Sequence, residues 1–176
     1  MGIDEAPSRS HHAGMSDHAV LFVCLGNICR SPLAEGLFRE AVERRGLTER
    51  FFIDSCGTSG WHVGEGPDPR SVEVARDYGV DISRQRSRQL APDDYQRFQW
   101  LVAMDQSNEA TLQSRAPRGS QAHIVRFTSY VAGEAPRDVP DPYYGGDGGF
   151  EVVYRLLERG CDALIDAVMA DGAPEP

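Results

Sequence analysis

Val20-Leu21-Phe22-Val23-Cys24-Leu25-Gly26-Asn27-Ile28-Cys29-Arg30-Ser31-Pro32 is the stretch that organises the rest of the chain. Four consecutive apolar residues read as a strand buried on both faces, the pattern of a parallel sheet. The strand ends on Cys24, and a short loop with Gly26 and Asn27 follows. Ser31-Pro32 then opens a helix. Backbone N–H groups in such a loop, and at the helix start, form a cradle for an anion. The same positive field favours a thiolate over a thiol at Cys24. Arg30 offers a planar fork of donors suited to two phosphoryl oxygens. A nucleophile for phosphorus is thus set beside a phosphate clamp. The plainer reading is a buried strand-end cysteine and an unrelated arginine.

Outward from this loop, strands and helices alternate. Ala19–Val23, Phe51–Ser55, Gln99–Met104 and His123–Phe127 read as strands. Pro32–Arg45 reads as a helix with Leu33, Leu37, Phe38 and Ala41 on one face, closed by Gly46. Glu35–Arg39 and Glu40–Arg44 are favourable helical pairs. Asp68-Pro69 is an N-cap and first-turn proline for a helix ending at Gly79. Ser107–Arg115 is a further helix. Gly149–Ala170 is one amphipathic helix with Val153, Leu156, Leu157, Leu164 and Val168 inward. This alternation predicts an α/β three-layer sandwich, a four-stranded parallel sheet with helices on both faces. Ligands in such sheets bind at the carboxyl ends of the strands, where Cys24 stands.

At 176 residues the chain fits one domain. Residues 1–16 read as a disordered N-terminal extension and 17–172 as the domain. Met1 to Met15 is polar, holds His11 and His12, and lacks the apolar core of a secretory signal. Met15 is an alternative start, and the paired histidines are a weak candidate for metal. No apolar run approaches the length of about eighteen residues of a membrane span. Four cysteines at this length do not make a disulfide framework, which points to a reducing cytoplasm. A net charge of −9 argues against nucleic acid as a partner. Arg84, Arg86 and Arg88 form a small basic cluster, either a solvated segment or a rim for anionic substrates.

The run from Cys24 to Pro32, followed by Leu33-Ala34-Glu35-Gly36, resembles the signature of low-molecular-weight protein tyrosine phosphatases. The likeness continues in order through Gly57-Thr58, Trp61, Arg86-Ser87-Arg88-Gln89, Met104-Asp105, Ser107-Asn108 and Asp141-Pro142-Tyr143-Tyr144-Gly145. It implies hydrolysis of phosphotyrosine in proteins through a phosphocysteine, with no cofactor and no metal. Cys24, Arg30 and Asp141 would be catalytic. Leu25, Gly26, Asn27, Ile28, Cys29 and Ser31 would bind the phosphate end. Trp61, Tyr143 and Tyr144 would wall the ring. Partners would be phosphotyrosine-containing proteins, with no membrane and no defined oligomeric state.

The residues carry parts of this independently. A phenolate leaving group has a conjugate acid near ~10, so its expulsion needs a general acid. Pro140 and Pro142 hold Asp141 on a stiff loop, although Asp-Pro also marks an ordinary turn. The resemblance assigns Asp141 the acid role. Asp105 is the rival acid, and its position before Ser107-Asn108 suits a helix cap better. Cys29 could trap an oxidised Cys24 as a disulfide, or simply fill the loop. Cys56 and Cys161 fit packing positions. Many family members have a histidine near Gln85 and an acid at Gln99. Two alternatives share the fold. A protein-arginine phosphatase would place threonine at Ile28. A thioredoxin-coupled arsenate reductase would need cysteines in Ile82–Leu90, which has none.

Overall fold

The computed structural model describes residues 16–146 and 148–171. The N-terminal extension, with His11, His12 and Met15, falls outside the described residues except for Ser16. Four strands, β1 (His18–Cys24), β2 (Phe51–Gly57), β3 (Trp100–Ala103) and β4 (His123–Arg126), form one sheet. Its order is β2-β1-β3-β4, and every pairing is parallel. Six helices accompany it: α1 (Arg30–Arg44), α2 (Pro69–Asp77), α3 (Asp94–Arg97), α4 (Gln106–Arg115), α5 (Gly149–Glu158) and α6 (Cys161–Asp171).

Strand alternation divides the core in two. Val20, Phe22 and Cys24 point into one cluster with Leu33, Phe38, Val153, Leu157 and Leu164. Leu21 and Val23 point into the other, with Tyr95, Phe98 and Leu112. Helices α1, α2, α5 and α6 therefore cover one face, and α3 and α4 cover the other. Both faces of β1 are buried, which is why its sequence is apolar at consecutive positions from Ala19 to Cys24 rather than at alternate ones. Each fully buried side chain of this size contributes about 1.5–3 kcal/mol of transfer free energy. The predicted three-layer sandwich is the observed one.

β1 connects through α1 to β2 on one side, while β3 lies on its other side. The order reverses at β1, and a crevice opens at its carboxyl end. Cys24 is the last residue of that strand and pairs with Gly57. Gly57 has to be glycine, because a Cβ there would lie 2.7 Å from the Leu25 carbonyl oxygen. The phosphate-loop backbone thus rests directly on the end of β2.

One expectation needs correction. The helix predicted over Gly149–Ala170 is two helices, broken at Arg159-Gly160. A Cβ on Gly160 would come 2.6 Å from the Phe127 ring, so the residue at the break has to be glycine, which also weakens a helix interior. The apolar period continues across the break, and all five inward residues are buried. The predicted Glu35–Arg39 pair is present, with buried Glu35 Oε2 2.8 Å from Arg39 NH2. Asp68 caps α2 as expected, accepting from the Arg70 backbone N–H at 2.8 Å.

Candidate active site

The loop between β1 and α1 turns on Asn27, whose φ is +58°. Asparagine tolerates this left-handed region better than most residues with a Cβ. The side chain locks the turn with three hydrogen bonds. Nδ2 donates to Ser31 Oγ at 2.8 Å and to Ser55 Oγ at 3.0 Å. Oδ1 accepts from the Arg88 backbone N–H at 3.0 Å. The loop is therefore bound to α1, to β2 and to the segment around Arg88, so its shape persists without a ligand.

Cys24 is buried, and its sulfur receives two polar contacts. The Asn27 backbone N–H donates to Sγ at 3.3 Å, and Ser31 Oγ lies 3.0 Å away. Hydrogen-bond direction follows from the far end of the network. Ser55 Oγ donates to Glu35 Oε1 at 2.7 Å and so accepts from Asn27. Asn27 Nδ2 in turn donates to Ser31 Oγ, so the Ser31 hydroxyl has its own hydrogen free for Cys24 Sγ at 3.0 Å or for the Cys56 carbonyl at 3.5 Å. Burial pushes the Glu35 carboxyl above its ordinary range, against the pull of Arg39 and Ser55. Asn27 and Ser31 thus stand behind the sulfur. Neither is among the residues that line the pocket.

Cys29 does line the pocket. Burial, then the charges of Asp68, Cys24 and Asp141, push its thiol up to about 12, with Arg70 opposing. At neutral pH Cys29 is a thiol, which leaves Cys24 as the candidate nucleophile. Burial likewise raises the Cys56 and Cys161 thiols, in keeping with packing positions.

Arg30 is almost fully buried. Its NH1 donates to Asp105 Oδ2 at 2.7 Å and to the Val139 carbonyl at 3.0 Å. Its NH2 lies 3.7 Å from Asp141 Oδ2. Burial alone would lower the guanidinium's pKa, but Cys24, Asp105 and Asp141 outweigh it and raise it. Asp105 has two tasks. Oδ1 caps α4 by accepting from the Asn108 N–H at 2.8 Å, and Oδ2 orients Arg30. The cap is legible in the sequence and the second task is not, because 75 residues separate the partners.

Asp141 sits on the pocket rim with its side chain 40% exposed. Its Oδ1 accepts from the Tyr143 N–H at 3.1 Å. Leu25, Gly26 and Ile28 line the floor, and Trp61, Tyr143 and Tyr144 stand around the mouth. Trp61 is 72% and Tyr144 90% exposed. Trp61 and Tyr144 thus present most of their ring surface to solvent at the pocket, while Tyr143 is partly covered by Arg70. Tyr143 and Tyr144 meet edge to face at 4.9 Å.

His62 is a pocket residue that the sequence reading missed. Its Nδ1 pairs with Glu65 Oε1 at 2.9 Å. The carboxylate accepts, so Nδ1 carries the proton. A Cβ on Gly26 would lie 3.1 Å from His62 Cδ2, which places the ring edge over the phosphate loop. The only available clue was its place directly after Trp61. Gln85 Nε2 donates to the Pro32 carbonyl at 3.1 Å, at the start of α1, so it braces the helix that follows the loop.

The basic cluster divides: Arg84 and Arg86 are exposed, as the solvated reading has it, whereas Arg88 is half-buried. Arg88 makes a bidentate pair with Asp94, both bonds 3.0 Å, and a third bond to Asp54 at 3.0 Å. Arg86 NH1 donates to the carbonyls of Ser83 and Gln85. Neither residue lines the pocket. Arg88 acts on the site through its backbone bond to Asn27.

Residues 19–173 match the family described as low molecular weight phosphotyrosine protein phosphatase. A phosphatase of that description from Schizosaccharomyces pombe is 48% identical over 139 residues, covering 78% of this chain and 88% of that protein. A low molecular weight protein-tyrosine-phosphatase of Bacillus subtilis is 40% identical over 153 residues, 87% of this chain and 97% of the relative. The crystal structure of a protein tyrosine phosphatase from Entamoeba histolytica, with Hepes in its active site, superposes with a TM-score of 0.84. It is 35% identical and covers 89% of this chain and 99% of its own. These matches span nearly all of the described residues, and the chain belongs to the low molecular weight phosphotyrosine protein phosphatase family.

Proposed function

We propose that this protein hydrolyses phosphotyrosine in proteins, with Cys24 as nucleophile, Arg30 as phosphate clamp and Asp141 as acid and base. The Cys24 thiolate attacks phosphorus, a sulfur–phosphorus bond forms, and the bond to the tyrosine oxygen breaks. Asp141 gives its proton to the departing oxygen. It then takes one from the water that attacks the phosphocysteine; the sulfur–phosphorus bond breaks, the Cys24 thiolate is restored, and inorganic phosphate leaves. Arg30 NH1 is occupied by Asp105 and Val139, so its Nε and NH2 edge is the part offered to phosphate. The observation that carries this reading is the convergence of Cys24, Arg30 and Asp141 in one pocket.

The pocket favours a flat ring over a guanidinium. Ile28 lines its floor and the three exposed aromatics its mouth. A panel of phosphotyrosine, phosphoarginine and phosphoserine peptides tests the choice. Phosphotyrosine is expected to give kcat/KM at least about tenfold above the others, from roughly 1–3 kcal/mol of apolar and ring contact. Preference for phosphoarginine would overturn it. A cytoplasmic location is proposed because all four cysteines are free thiols. No helix among the described residues is long and apolar enough to cross a membrane.

The proton donor has its own test. Asp141→Asn keeps the size of the side chain and removes the proton. It is expected to lower kcat/KM for phosphotyrosine by about 10²-fold or more, the scale of general acid catalysis. With p-nitrophenyl phosphate, whose leaving group needs no proton, the loss should be far smaller. Equal losses along a series of aryl phosphates would make Asp141 structural and return Asp105 to candidacy.

A further inference from the structure

We propose that Arg70 is a positioning residue that latches the Asp141 loop onto the phosphate loop. The proposal rests on the reading of Asp141 as the acid. Helix α2 starts beside the phosphate loop and holds it at two points. The Asp68 backbone N–H donates to the Ile28 carbonyl at 2.8 Å, and Ser71 Oγ to the Cys29 carbonyl at 3.3 Å. Arg70 grips the Asp68 carboxylate with both arms of its fork. Its Nε lies 3.0 Å from Oδ1 and its NH2 2.9 Å from Oδ2. NH2 also reaches across to the Tyr143 carbonyl at 3.4 Å. The guanidinium carbon stands 4.6 Å from the Phe150 ring centroid and 5.6 Å from that of Tyr143.

These contacts close a circuit around the pocket. Ile28 holds Asp68, and Asp68 holds Arg70. Arg70 holds the Tyr143 carbonyl, and the Tyr143 N–H holds Asp141 Oδ1 at 3.1 Å. Asp141 Oδ2 then faces Arg30 NH2 at 3.7 Å, back in the residue that ends the phosphate loop. Upstream of Asp141 the loop is tied by Val139, whose N–H donates to the Met104 carbonyl and whose carbonyl accepts from Arg30. Downstream it runs into Gly145 and Gly146, which add no stiffness of their own. Arg70 supplies a tie there from a separate helix. Burial would raise the Asp68 carboxyl, but the bonds from Arg70 hold it below its ordinary range.

Only a fork fits this place. A lysine keeps a cation near the two rings but cannot hold Asp68 bidentately while reaching Tyr143. Arg70 itself is well exposed, so its removal leaves no hole in the core. The test is kcat/KM along a series of aryl phosphates for wild type, Arg70→Ala, Arg70→Lys, Asp141→Asn and the double variant Arg70→Ala/Asp141→Asn. Displacing a catalytic group by about an ångström costs up to about 10²-fold. Arg70→Ala is therefore expected to lose about tenfold or more on phosphotyrosine and phenyl phosphate, and no more than about threefold on p-nitrophenyl phosphate. Arg70→Lys should fall between Arg70→Ala and wild type. In the Asp141→Asn background, Arg70→Ala should cost less than about twofold on the poor leaving groups, because the two residues act through one proton. Equal losses across the series, or full additivity in the double variant, would overturn the latch. If Asp141→Asn shows no leaving-group dependence, the acid reading fails, and the latch falls with it whatever Arg70→Ala does.

Discussion

Cys24→Ser is expected to reduce turnover of phosphotyrosine to below about one per cent of wild type while phosphate binding survives. A serine hydroxyl has no anion to offer near neutral pH, whereas a cysteine supplies a strong nucleophile as its thiolate. Nothing else in the pocket replaces it. Cys29 is held as a thiol by burial and by the negative charges around it. The binding site does not depend on the sulfur, because Asn27 ties the loop through Ser31, Ser55 and Arg88 rather than through Cys24 alone. Steady-state kinetics and competition by inorganic phosphate check the two halves separately. Residual activity above a few per cent would mean that Cys24 is not the nucleophile. Loss of phosphate binding would mean that the loop is held by the thiolate.

Arg30→Lys is expected to slow the enzyme by about 10²-fold or more, the scale seen when a preorganised donor to developing charge is lost. The charge remains in this variant and the geometry does not. Arg30 occupies one arm on Asp105 and Val139, and that hold aims the other edge at the phosphate. A lysine has a single nitrogen, which either takes the Asp105 carboxylate or turns to the substrate. Breaking a buried ion pair also costs about 3–5 kcal/mol when one partner is left uncompensated, so thermal unfolding of the variant should be measured beside its kinetics. A stable variant with a large kcat loss supports the clamp. Near-normal kcat would show that another cation holds the equatorial oxygens.

Most of the architecture could be read from local pattern. The apolar run before Cys24, the caps at Asp68 and Asp105 and the face of α1 all depend on residues within a few positions of one another. What requires glycine at 160 is the Phe127 ring, more than thirty residues away, which no local pattern shows. The role of Arg88 escaped for the same reason. Three arginines in five residues look alike in sequence, and only one meets Asp54 and Asp94. The apolar register of α5 and α6 continues through the break, so periodicity alone could not reveal it.

In the site, the reagent side chains follow from the order of residues alone. A cysteine at a strand end, a tight loop and an arginine at a helix start carry their chemistry wherever the strand is placed, because strand, turn and helix start are local structures. The orientation of those reagents does not follow. Asp105 reaches Arg30 from 75 residues away, and Glu35 reaches the cysteine through Ser55, Asn27 and Ser31. His62 lies over Gly26, and Arg70 bridges α2 to the loop of Asp141. These contacts join segments whose proximity is set by the order β2-β1-β3-β4 and by which helices cover each face. Hydrogen bonds act over about 3 Å, so a partner across the fold is defined only once the sheet has brought the two segments together.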